Sequence, residues 1–174
     1  MESSIVQYND TMKWKMPVIE MTKDSILVIT IPHFAGKETQ ARQYTQTLQD
    51  GISPDVRDVI LDLRGNTGGN MYPMIAGLNA LLPDGIILSF KQRNRHHYNL
   101  TAEYIANVQG VERKVPLSPQ IAILTDGDTA SSGEALLICF RGMRNVRVFG
   151  SPTGGQARLA SWNSFRSQDQ WKFP

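Results

Sequence analysis

"QIAILTDGDTASSGEALLICF", residues 120–140, passes from a β-branched apolar run through a polar turn into a second apolar run of helical length. Residues 120–125 read as a strand and 133–143 as a helix, with Ser131, Ser132, Gly133 and Glu134 at the joint. A strand that turns tightly into a helix is half of a β-α-β unit, and the chain repeats the arrangement. "VRDVILDLRG" (56–65) reads as a strand with an unbroken apolar centre, expected of a sheet covered on both faces. The glycine-rich turn "RGNTGGN" follows it and leads into a helix over "MYPMIAGLNALL" (71–82).

Working outward, "SILVITIPHF" (25–34) reads as a strand stopped by Pro32, and "KETQARQYTQTLQDGI" (37–52) as a helix closed by Gly51. "GIILSF" (85–90) and "VRVFG" (146–150) read as further strands, and "QRNRHHYN" (92–99) as a polar loop. Residues 1–17 are polar and mixed, and 156–174 show no sustained alternation. Strand and helix in alternation predict an α/β fold with a mostly parallel sheet. Sites in such folds gather where strand C-termini turn into helix N-termini, which singles out the turns at 65–70 and 126–133.

Composition narrows the function. The 174 residues are 41% hydrophobic and 20% charged, enough for one domain with a sizeable core. A formal net charge of +2 gives no footprint for nucleic acid. The basic loop with His96 and His97 reads as a solvated face. No stretch is long and apolar enough to span a bilayer, and "MESSIVQYNDTMKWK" lacks a signal pattern, so no membrane contact is expected and the compartment is left open. The single Cys139 lies inside an apolar run and reads as a buried structural thiol. No His, Cys and carboxylate cluster has ligand spacing, so neither metal nor organic cofactor is expected.

The serine turn has two readings. Ser131 to Glu134 fits S-x-x-E, a capping box in which both side chains satisfy helix N–H groups. Alternatively Ser131 presents a nucleophilic hydroxyl, with the following N–H groups and the helix dipole facing a developing oxyanion. In that case Ser132 or Thr129 would take over the cap. A G-x-S-x-G elbow is excluded, because Thr129 holds the first glycine's place. All three histidines also precede Ser131, which is the wrong order for an α/β-hydrolase. The glycine turn lacks the Lys-Ser/Thr ending of a P-loop. Its glycines either allow positive φ and close packing or bring an N–H to the oxyanion.

Together, "VILDLRGNTGG" and "IAILTDGDTASSGEALLICFRGMRNVRVFGSPTGG" resemble the tail-specific, or C-terminal-processing, serine peptidases. Within them the chain is similar to the subgroup that contains the tricorn core and the nisin-resistance protein. The resemblance implies a crotonase-like ββα spiral, shared with the caseinolytic protease. It divides the chain into a lead-in (1–24), a peptidase core (25–155) and a diverged or truncated tail (156–174). It places the nucleophile at Ser131, one oxyanion N–H at Ser132 and the other at Gly68 or Gly69, with an extended polypeptide as substrate and oligomerisation open. The family's base is either an upstream histidine or a lysine just past the last matching glycine. Residues 1–24 hold no histidine and position 156 is Gln156; His33, whose place in "IPHF" does not match the family's base, reads either as a stand-in base or as a structural histidine beside a strand. Two readings follow: a serine peptidase core, inactive here if the upstream base is absent, or a non-catalytic peptide-binding domain of the same fold. A crotonase-like acyl-thioester enzyme would share the fold without accounting for the serine.

Overall fold

The computed structural model describes residues 14–91, 97–155 and 160–161. Eight strands and four helices follow one another as β1 (Val18–Met21), β2 (Leu27–Thr30), α1 (Glu38–Gly51), β3 (Asp58–Asp62), α2 (Met71–Gly77), β4 (Ile86–Lys91), β5 (His97–Thr101), α3 (Ala102–Gln109), β6 (Gln120–Thr125), α4 (Ser132–Cys139), β7 (Val146–Gly150) and β8 (Ala160–Ser161). They build an α/β fold with two sheets. The larger has the order β1-β2-β3-β6-β7, parallel throughout except for antiparallel β1. The smaller, β5-β4-β8, is antiparallel.

Register explains the core. Leu27 aligns with Val59 and Val59 with Ile121; Ile29 aligns with Leu61 and Leu61 with Ile123. All six are buried, while the alternate positions Val28, Ile60, Ala122 and Leu124 stay half-buried. The sheet is therefore fully covered on one face only, and the expectation of two covered faces is corrected. An apolar run conceals this alternation because a half-buried position still favours a β-branched or aliphatic side chain. On the covered side, α1 buries Ala41, Tyr44, Thr45 and Leu48, the i, i+3, i+4, i+7 stripe of an amphipathic helix. Burial of Leu48 alone contributes about 2–3 kcal/mol.

The polar loop expected over 92–99 is also corrected. Residues 97–101 form β5, with Tyr98 opposite Phe90 and Leu100 opposite Leu88. Residues 92–96, including His96, lie outside the described residues. Helix α3 was not expected either, although Thr101 caps it by accepting the Tyr104 N–H at 3.0 Å and Gly110 ends it at φ 67°. The lead-in contains β1, and the tail contributes β8 to the small sheet; the rest of the tail and residues 1–13 lie outside the described residues. Among the described residues no helix is long and apolar enough to cross a membrane.

Candidate active site

The C-terminal ends of β2, β3 and β6 lie side by side, so the segments that leave them are neighbours. The β3–α2 turn holds the glycines and the β6–α4 turn holds the serines, as the alternation of elements predicts. Two buried or half-buried polar side chains fasten these turns together. Asn66, wholly buried, donates from Nδ2 to the Ile31 carbonyl at 2.9 Å and accepts the Gly68 N–H on Oδ1 at 2.9 Å. Its own carbonyl accepts the Ala130 N–H at 2.9 Å. One residue thus ties the end of β2, the glycine turn and the serine turn. Asp126 works from the other side. Its carboxylate takes the Gly65 N–H at 3.0 Å with each oxygen, and the Asp128 and Thr129 N–H groups at 3.1 and 2.9 Å. These bonds, the Gly65 N–H foremost, hold the Asp126 carboxyl below the usual carboxylate range.

Ser131 occupies the N-cap of α4 at φ 51°, ψ −112°, a conformation that non-glycine residues rarely adopt. Its side chain is exposed. Glu134 Oε2 accepts the Ser131 N–H at 3.0 Å, and the Ser131 side chain faces the Glu134 N–H, so S-x-x-E forms a capping box. Ser131 stays exposed at this helix start. Neither expected substitute caps the helix. Thr129 donates to the Leu63 carbonyl at 2.9 Å, and Ser132, buried, donates its hydroxyl to the Gly69 carbonyl. Glu134 also accepts from Thr153 Oγ1 at 2.7 Å and from the Gly155 N–H at 2.8 Å, so the turn after β7 is drawn against the same helix start.

The glycines bring backbone to the serine. At Gly68, φ is 110° and a Cβ would stand 2.8 Å from Ser131 Cβ and 3.0 Å from the Ser132 nitrogen. Gly69 forms an isolated parallel bridge with Phe34. The Phe34 N–H donates to the Gly68 carbonyl at 3.2 Å, and the Asn70 N–H donates to the Phe34 carbonyl at 2.7 Å. A residue flanked in this way turns its own N–H and C=O to the opposite side. That side is the serine turn, as the bond from the Ser132 hydroxyl to the Gly69 carbonyl requires. Gly68 has spent its N–H on Asn66, while the N–H groups of Gly69 and Ser132 have no partner among the described residues.

The predicted site residues are therefore brought together except for the histidines. Ser131, Ser132, Gly68 and Gly69 form one cluster. His33 is half-buried immediately before Phe34, at the cluster's β2 edge, and its buried Nε2 has no hydrogen-bond partner among the described residues. His97 lies on β5 in the other sheet. Asn66 and Asp126 are missing from the sequence reading; the only signal was their place inside the two turns. Cys139 is buried and donates to the Ala135 carbonyl at 3.2 Å, and burial pushes its thiol pKa far up, in keeping with a structural role. Among the described residues no group of His, Cys and carboxylates could hold a metal ion.

Comparison with known proteins assigns the arrangement to a family. Residues 25–173 match the sequence profile of Peptidase family S41. The nisin-resistance protein of Lactococcus lactis subsp. lactis is 34% identical over 151 residues, covering 82% of this chain and 47% of that protein. The carboxy-terminal processing protease CtpA of Bacillus subtilis (strain 168) is 30% identical over 151 residues, covering 86% of this chain and 30% of that protein. A lipoprotein structure from Streptococcus agalactiae superposes with a TM-score of 0.76 at 33% identity, covering 81% of this chain and 51% of that one. The chain thus spans about half or less of the length of these relatives. It belongs to Peptidase family S41, the serine peptidase family of the C-terminal processing proteases.

Proposed function

We propose that the chain is the core of a serine peptidase with a crotonase-like spiral, which cleaves extended polypeptides through an acyl-enzyme on Ser131. The observation that carries this reading is an exposed serine at a strained helix N-cap, beside two N–H groups on the same side that have no partner among the described residues. Ser131 Oγ forms the new bond to the scissile carbonyl carbon and gives its proton to a base, which passes it to the departing amine. Water then attacks the ester, and the acid product leaves with Ser131 restored. The N–H groups of Ser132 and Gly69 hold the oxyanion, aided by the positive end of α4. Of the two glycines expected in that role, Gly69 takes it and Gly68 shapes the turn, because the Gly68 N–H is already committed to Asn66. The relative named for carboxy-terminal processing supports a peptide cut near its C-terminus.

His33 is the base candidate among the described histidines. Its Nε2, unbonded among the described residues, and its place beside the glycine turn support that role. A second reading, a peptide-binding domain without chemistry, is favoured by one fact: Ser131 Oγ has no hydrogen bond to histidine or lysine among the described residues. Cleavage of an internally quenched peptide library separates the two. Turnover by the native chain, lost in Ser131→Ala and reduced at least tenfold in His33→Ala, supports the peptidase with His33 as base. Turnover lost in Ser131→Ala but intact in His33→Ala places the base elsewhere. Peptide binding without turnover supports the second reading.

A further inference from the structure

The hydroxyl of Ser132 has no part in the acyl-transfer scheme, yet it links the helix that follows the serine turn directly to the glycine turn. Ser132 is the first residue of α4 and is buried, with its hydroxyl aimed off the helix onto the Gly69 carbonyl. Nothing in the helix needs that bond, because Glu134 already serves the helix start.

Its consequence follows from what Gly69 lacks. The turn "NTGGN" places two adjacent glycines, at φ 110° and 97°, where L-side chains are disfavoured. Gly69 also has no room for a side chain, since a Cβ would collide with the Phe34 carbonyl oxygen. A glycine pair is the softest backbone a protein can use, and this one carries an N–H whose direction would decide the fit to an oxyanion. The Phe34 N–H fixes the peptide plane before Gly69 through the Gly68 carbonyl, and the Asn70 N–H ties the plane after it to Phe34. Both of those ties lead to Phe34, in the segment that follows β2. Among the described residues only the Ser132 hydroxyl ties Gly69 to the helix that carries the other oxyanion donor, and both the hydroxyl and that donor belong to Ser132.

We infer that Ser132 is a positioning residue whose hydroxyl sets the spacing between its own N–H and that of Gly69, completing the oxyanion hole before substrate arrives. The inference rests on the proposed nucleophile at Ser131. The backbone donor of Ser132 survives any substitution of its side chain, so the two contributions of this residue are separable. Loss of a whole oxyanion donor typically costs about 10²–10³ in rate, and loosening one costs less, about 10–100-fold.

The test uses a peptidyl boronate, which forms a tetrahedral adduct with a serine hydroxyl, and an unreactive carboxamide of the same peptide. Binding of both is measured for the native chain, Ser132→Ala and Ser132→Thr, with the Gly69 amide followed by ¹⁵N NMR. The inference expects Ser132→Ala to weaken the adduct about 10–100-fold and to leave the carboxamide unchanged. It also expects a smaller Gly69 amide shift on adduct formation and restoration of both readouts by Ser132→Thr. Equal boronate affinity in native protein and Ser132→Ala overturns the positioning role and leaves Ser131 as nucleophile. Equal weakening of boronate and carboxamide overturns it as well, because a structural role would move both. Absence of any adduct on Ser131 in the native chain overturns the nucleophile and the positioning role together.

Discussion

Replacing Ser131 with glycine should make the protein more stable than replacing it with alanine. Ser131 sits at φ 51°, ψ −112°, and such a backbone costs about 1–3 kcal/mol for a residue with a Cβ. Alanine keeps the Cβ and therefore the strain. Alanine and glycine both lack the hydroxyl, so what it adds to the capping box cancels between the two variants. Glycine removes the strain, but its freer unfolded chain offsets about 0.5–1 kcal/mol. The Glu134 carboxylate still receives the residue-131 N–H in both variants. The balance favours Ser131→Gly over Ser131→Ala by about 1 kcal/mol, which corresponds to about 2–4 °C in melting temperature for a chain of this size. Urea unfolding followed by circular dichroism measures the difference at equilibrium. A glycine variant equal to or less stable than the alanine variant would refute the argument that the fold stores strain at this serine. The expected result would mean that stability is given up to present the hydroxyl, the trade common at reactive sites.

Other perturbations test the two fastenings. Asn66→Ala leaves the Ile31 carbonyl and the Gly68 N–H buried without their partner, and should cost about 2–4 kcal/mol in urea unfolding. Gly69→Ala forces a Cβ into the Phe34 carbonyl at a φ of 97° and should lower stability by about 3 kcal/mol or more, seen as a fall in urea midpoint. Asp126 carries a depressed pKa in the fold, owing first to the Gly65 N–H, so its stabilising contribution is present above its ordinary value of 3.8. That contribution is lost as pH falls through the lower folded value. Unfolding midpoints of the native chain should therefore drop more steeply in that acid range than those of Asp126→Asn.

The two turns and the elements that deliver them were legible because they are local. A β-branched run, a polar break and an apolar helix lie within twenty or so consecutive residues, and each break carries its own glycine or serine signal. Polar edge elements were not. β1, "VIEM", has exposed or half-buried side chains throughout, so no alternation marks it. β5 begins in a run of basic and polar residues, and its pairing with β4 is what makes it a strand. The roles of Asn66 and Asp126 are longer-range still. Asn66 works on Ile31, 35 positions away, and Asp126 on Gly65, 61 positions away. Glu134 shows a different limit. S-x-x-E offered cap or nucleophile, and the structure shows Ser131 and Glu134 forming a capping box while Ser131 stays exposed, a coexistence that the motif by itself does not reveal.

The central claim is that Ser131 is a nucleophile presented with its oxyanion donors in place. A fluorophosphonate probe tests it most directly, with peptide mapping by mass spectrometry to locate the label. The account predicts one phosphonylated residue, Ser131, and no labelling in Ser131→Ala. A folded native chain that stays unlabelled, or one labelled at Ser132 instead, would contradict it.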